Sequence, residues 1–165
     1  MISILELKKA VNDSIYEATG LKVVSHSVDD NFKKPACFVD YNVIYRTPIT
    51  KVLDKWNIRF RIYYYPKKPR DEVDMLRMLG KLQDEFRLNV KCYDKDSERY
   101  RYLNILESDF MLDLESGLLL FTFRTEFMQR IKVVEEDIDI MRELEINLNK
   151  EKTDKEKANK EKASR

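Results

Sequence analysis

The stretch WNIRFRIYYY, Trp56 to Tyr65, alternates too regularly to belong to a helix. Trp56, Ile58, Phe60, Ile62 and Tyr64 fall on one side, and Asn57, Arg59, Arg61, Tyr63 and Tyr65 on the other. A period of two with one apolar side is the pattern of a strand half-buried in a sheet. The strand is expected over 52–65, ended by Pro66 and Pro69. Its second face, rich in Arg and Tyr and followed by Lys67, Lys68 and Arg70, has two uses. Sheet-borne aromatics with arginines can stack bases and hold phosphates. Arg and Tyr are equally the residues enriched where one protein meets another.

The segments around this strand supply the rest of a fold. Ser3 and Glu6 have capping-box spacing, and Ile4, Leu7, Val11, Ile15 and Ala18 recur at helical spacing up to Gly20, predicting an amphipathic helix over 3–19. Residues 21–26 read as a short strand and 27–34 as a loop. Residues 36–46 alternate, with Cys37, Val39, Tyr41, Val43 and Tyr45 on one side, until Thr47-Pro48 is expected to break them. Asp71 can cap a second helix, for which Val73, Leu76, Leu79, Leu82 and Phe86 form the expected stripe, with Gly80 a weak point inside it. Residues 89–93 suggest a short strand, 94–98 a turn, and 99–114 an imperfect alternation closed by a hairpin turn at Glu115-Ser116-Gly117. Residues 118–128 form the clearest strand, with Leu119, Phe121, Phe123 and Phe127 on one face. Helices and long strands in this order predict an α+β domain: a mainly antiparallel sheet with two amphipathic helices packed on one face.

After Lys132 the character changes. Residues 1–132 are expected to form the domain and 133–165 a charged extension. In the extension Val134, Ile138, Met141, Leu144 and Leu148 make a thin helical stripe, and residues 150–165, rich in Lys and Glu, have no apolar face.

Charge bears on the choice between partners. The chain has 31 basic and 30 acidic residues, a formal net charge of +1. A dedicated duplex binder carries a strongly basic balance, so only a local patch could serve nucleic acid here. A nucleic-acid module using Arg59, Arg61, Tyr63 and Tyr65 is kept as the rival, and a subunit interface through the same residues is preferred. Cys37 and Cys92 belong to no motif and fit a reducing compartment. Glu6, Lys8 and Lys9 occupy the place of a signal peptide's apolar run, and the longest apolar run, 118–121, is far too short to span a bilayer. A soluble intracellular product is expected.

No constellation for catalysis emerges. The single histidine, His26, has no nucleophile motif around it and reads as structural or solvent-facing. Two cysteines and one histidine hardly supply a zinc site, and three glycines do not make a phosphate cradle. Asp29-Asp30 lies in a loop. Asp94, Asp96 and Glu98 have the opening spacing of a calcium loop without its glycine or distal glutamate. Glu6-Leu7-Lys8 has a nuclease-like spacing, but on a helix rather than a strand. No enzyme, cofactor or metal is expected.

Taken together, ISILELKKAVNDSIYEATGLKVVSHSV, then KKPACFVDYNVIYR, WNIRFRIYYYP, DEVDMLRMLGKLQDEF and LLLFTFRTEFM form a familiar succession. Over residues 2–128 the chain resembles the phage tail terminator (tail completion) proteins of Gram-positive phages, prophages and phage-tail-like bacteriocins. The junction Lys34-Pro35 and the strand end Tyr64-Tyr65-Pro66 carry the resemblance most distinctly. It implies a structural protein made in the bacterial cytoplasm, forming a ring, typically hexameric, on the head-proximal end of the tail tube. Such a ring halts tube growth and faces the neck or collar, and in contractile tails the last sheath ring. Another neck or connector protein is the nearest alternative. Nucleic acid would at most pass through the lumen, and no membrane is involved. The extension beyond the last strand departs from the family pattern, and Ile138, Met141 and Leu148 are its candidate contacts with a neighbouring subunit or sheath, as against a helix folded back on its own domain.

Overall fold

The computed structural model describes residues 2–24 and 32–131. The order of elements is α1 (Ile4–Thr19), β1 (Ala36–Thr50), β2 (Leu53–Tyr65), α2 (Glu72–Glu85), β3 (Asn89–Asp94), β4 (Arg99–Asp113) and β5 (Leu118–Arg130). The strands form one antiparallel sheet in the order β1-β2-β5-β4-β3, and both helices lie on one face of it. This is the α+β architecture expected from the sequence. The expected loop at 27–34, His26, Asp29-Asp30 and the whole 133–165 extension fall wholly or mostly outside the described residues.

The capping box of α1 is realised in full. Glu6 N–H donates to Ser3 Oγ at 3.1 Å, and Ser3 N–H donates to Glu6 Oε2 at 2.9 Å. Together they satisfy two of the amides that a helix start leaves unpaired. At the other end Gly20 takes φ +75 and its N–H reaches Tyr16 C=O at 2.8 Å, a left-handed cap that a residue with a Cβ adopts only at a cost. Asp71 caps α2 as expected, accepting from Asp74 N–H at 3.1 Å.

The core lies between the helices and the even-numbered side of β2. Leu7, Val11 and Ile15 of α1 and Met75, Leu79 and Leu82 of α2 meet Ile58, Phe60, Ile62 and Tyr64 of β2 and Leu119, Phe121 and Phe123 of β5. Phe60 and Phe123 stack at 5.2 Å, and Phe86 stacks on Phe123 at 4.7 Å. Full burial of each such side chain is worth roughly 1.5–3 kcal/mol, so this aromatic column is a main source of the domain's stability. One polar tie crosses it: Tyr64 Oη donates to Asp74 Oδ2 at 2.5 Å, joining β2 to the first turn of α2.

Four expectations need correction. Residues 21–24 form no strand beyond a single parallel bridge from Val23 to Cys37, and residues 25 and 26 of the expected strand lie outside the described part. Thr47-Pro48 does not break β1, which runs on to Thr50. β1 is an edge strand with a neighbour on one side only, where a missing proline N–H is tolerated. Tyr45 does not share the side of Cys37. Ile44 is an extra residue between Val43, opposite Ile58, and Tyr45, opposite Asn57, and this bulge turns Tyr45 to the other face. It also brings Arg46 to the side of Trp56, where its guanidinium lies 4.9 Å from the ring and pairs with buried Asp54. In α2, Val73 and Leu76 are exposed, while Met75 and Met78 are buried. Steps of three residues drift around a helix of 3.6 per turn, so a stripe phased on Leu79, Leu82 and Phe86 runs back through Met78 and Met75.

The imperfect alternation of β4 has the same kind of cause. Leu106 is a bulge residue between Ile105, opposite Thr125, and Glu107, opposite Arg124. Leu103 and Ile105 face the core before it, whereas Leu112 does so after it.

Candidate functional site

The helices leave the second face of the sheet uncovered by any described element, and the odd-numbered residues of β2 run down its middle. Arg59, Arg61, Tyr63 and Tyr65 are all half-buried there and share one face, as the alternation predicted. Their surroundings divide the face into three parts.

At one end, Tyr65 belongs to an aromatic group. Its ring lies 5.0 Å from Phe32 and 5.8 Å from Phe38, and the Lys34 ammonium stands 5.6 Å from its centre. The distinctive Lys34-Pro35 junction, a cis peptide, leads directly into this group. Much of the Tyr65 ring is therefore engaged within the subunit.

The middle carries charge. Arg61 Nη1 meets Asp40 Oδ2 at 3.3 Å across the β1–β2 pair. Arg124 of β5 stands directly opposite Arg59, and its Nη1 meets Glu107 Oε1 at 3.1 Å. Like charges placed directly opposite on neighbouring strands repel. Arg59 itself has no ion pair among the described residues, and the Nε of Arg124 is buried with no hydrogen-bond partner among them. Arg59, Arg61, Arg124, Glu107 and Asp109 line a shallow concavity of about 440 Å³. Two of its three arginines already hold a carboxylate, which weakens any pull on a phosphate backbone. Arg59 is then the one arginine of the three with no carboxylate among the described residues, and a guanidinium of that kind matches a carboxylate in geometry.

At the other end, Glu126 gathers Lys55 Nζ at 2.7 Å and the Tyr45 hydroxyl, which donates at 2.7 Å. The amide of Asn57 donates to both Tyr45 Oη and Glu126 Oε2, at 3.4 and 3.5 Å. Lys55, then Tyr45, hold the Glu126 carboxyl below the usual carboxylate range, and Glu126 in turn raises Lys55. Asn57 is fully buried, and its Oδ1 has no partner among the described residues.

Asp40, Tyr45, Glu107 and Arg124 are the members of this face that sequence reading missed. Arg124 was visible as the polar alternate in FRTEF, but its place opposite Arg59 depends on β2 pairing with β5, which no local signal gives. The candidate contacts Ile138, Met141 and Leu148 lie outside the described residues, so nothing brings them to this face. Asp94 and Asp96 of the calcium-like spacing form a turn in which Asp96 N–H donates to Asp94 Oδ1 at 3.2 Å, and Arg101 stands 3.8 Å from Asp94. Among the described residues no three His, Cys, Asp or Glu side chains are grouped to hold a metal, and no helix is long and apolar enough to cross a membrane.

A family model described as phage tail terminator protein matches residues 6–139, nearly the whole described fold and eight residues beyond it. No curated protein matches the chain.

Proposed function

Because the chain belongs to the phage tail terminator family, we propose that it forms a ring capping the head-proximal end of a phage or phage-like tail tube. Membership makes it a structural, virion-associated protein of the phage tail that works among other tail proteins. The proposed ring is a homo-oligomer, probed first as a hexamer. One side fits the last ring of tube protein, and the other offers no surface for further tube subunits and receives the neck or collar. In a contractile tail it also meets the sheath. Nucleic acid only passes through the lumen, and the role needs neither reaction nor cofactor.

The observation that carries this reading is the extent of the family match, which begins in α1 and runs past β5. A ring needs a heterologous contact whose rotation closes. The half-buried Arg59, Arg61, Tyr63 and Tyr65 face, where Arg59 has no ion pair among the described residues, supports a place for protein contacts of this kind. The proposed division into a domain at 1–132 and an extension at 133–165 leaves the extension free to add contacts of its own through Ile138, Met141 and Leu148.

Light scattering after size exclusion, with and without tube protein, tests the ring, and tail length after deletion of the gene tests the cap. Overlong tube polymers on deletion are expected. Normal-length tails that fail to join heads would point instead to a connector, and a strict monomer with tube protein present would overturn the ring. Salt-dependent capture of single-stranded DNA, lost in Arg59→Ala with Arg61→Ala, would move the face to the nucleic-acid reading.

A further inference from the structure

Among the described residues the sheet has two open edges, on opposite sides, and each carries exposed apolar side chains. On its outer edge β1 is met only at Cys37, whose carbonyl accepts from Val24 N–H at 2.8 Å; among the described residues nothing pairs with that edge from Val39 to Thr50. At the other side β3 pairs β4 only as far as Asn104, and Ile105 N–H reaches Leu88 C=O at 2.9 Å. Beyond it, Leu106 to Asp113 have β5 on one side and no described strand on the other. Val43, Ile44, Tyr45 and Ile49 are 37–48% exposed along the first edge, and Leu106, Phe110 and Met111 are 46–51% exposed along the second. Long apolar edges left in water are templates for pairing with another chain.

Resting on the ring reading above, we propose that the free part of β4 in one subunit pairs with the free part of β1 in the next, Pro48 alone contributing no N–H to that ladder. Successive antiparallel pairings give β1 and β4 opposite directions. Copies related by rotation about a ring axis keep their strand directions, so β1 of one copy meets β4 of its neighbour antiparallel. A two-fold contact between like edges would cover one apolar patch and leave the other in water. The head-to-tail contact covers both at once, and every subunit offers both.

The geometry suits a closed arrangement. Asp109 and Phe110, midway along Leu106 to Asp113, are level with Thr122 and Phe121, whereas Tyr45, at the middle of Val39 to Thr50, is level through Asn57 with Glu126, so the centres of the two free edges are offset by about four residues along β5. That offset is roughly 14 Å, against roughly 19 Å for the width of four strands. Strands in the joined sheet would tilt by roughly 35°, at the low end of the tilt of about 35–45° that closed sheets adopt.

Two variants test the pairing: Leu106→Lys with Met111→Lys on the β4 edge, and Ile44→Lys with Ile49→Lys on the β1 edge. Each is expected to be monomeric by light scattering at concentrations where the unaltered chain assembles. Mixed in equal amounts, they should form a dimer and nothing larger, since each retains the one edge the other has lost. Such a dimer also shows that both variants are folded. Rings that persist in both variants, or dimers formed by either variant alone, would overturn the pairing while leaving the ring intact. An unaltered chain that stays monomeric with tube protein present would remove both. Assembly as expected, with tails of normal length in the absence of the gene, would leave the pairing standing and remove the capping role.

Discussion

Ser3 and Glu6 illustrate how much a single pair of side chains can decide. Their reciprocal hydrogen bonds start α1, and Ser3→Ala should lower stability by about 1 kcal/mol in urea unfolding. The backbone N–H of Ser3 holds the Glu6 carboxyl below its ordinary 4.5, with Lys95 adding to the effect. A carboxylate with a lowered folded pKa contributes stability above its unfolded value and loses it as the pH falls through the folded one. Glu6→Gln should therefore flatten the fall in unfolding midpoint that begins below about pH 4.5, with Glu126 accounting for part of the remainder. The two thiols make a second test. Burial raises Cys37 to about 12 and Cys92 to about 11, so thiol reagents at pH 8 should label the native chain slowly and the urea-unfolded chain at once. Capping boxes are legible in sequence because all their parts lie within four residues. The pairing of Arg59 with Arg124 is not, because it spans 65 residues and depends on which strands become neighbours.

Among the elements, β2 and β5 could be read from sequence with little error, since one face of each is buried along most of its length and no inserted residue shifts their pairing; buried Asn57, on the outer face of β2, is the exception. β1 and β4 were harder for a shared physical reason. Each contains an inserted residue, Ile44 or Leu106, past which the side chains change face, and β1 has a second such irregularity at Ile49, between Pro48 and Thr50. α2 was legible as a helix but not in phase, because its exposed surface carries Val73 and Leu76 as well as charge. The structure separates the two phases sharply. Met75→Lys should cost several kcal/mol or prevent folding, as an unpaired charge in a dry core, while Leu76→Lys should stay within about 0.5 kcal/mol of the parent in thermal unfolding. Phe60→Ala, in the aromatic column of β2, should cost about 3–5 kcal/mol by the same measurement.

For the molecule as a whole, the division between the two sides of the sheet matters most. Stability is concentrated on the helix-covered side, so Arg59→Ala should leave the unfolding midpoint nearly unchanged while it alters assembly, the reverse of the expectation for Phe60→Ala. Removing residues 150–165, which have no apolar side chain stripe, should likewise leave the midpoint where it was. Strict alternation along β2 has one more consequence, for inheritance. Even positions are held by the core and most odd ones by Glu126, Asp40 or the Phe32 group, which leaves Arg59 and Tyr63 to answer to whatever the chain meets outside itself. Related phages could exchange one tail partner for another by rewriting those two codons of a single strand, and the fold would hardly register the change.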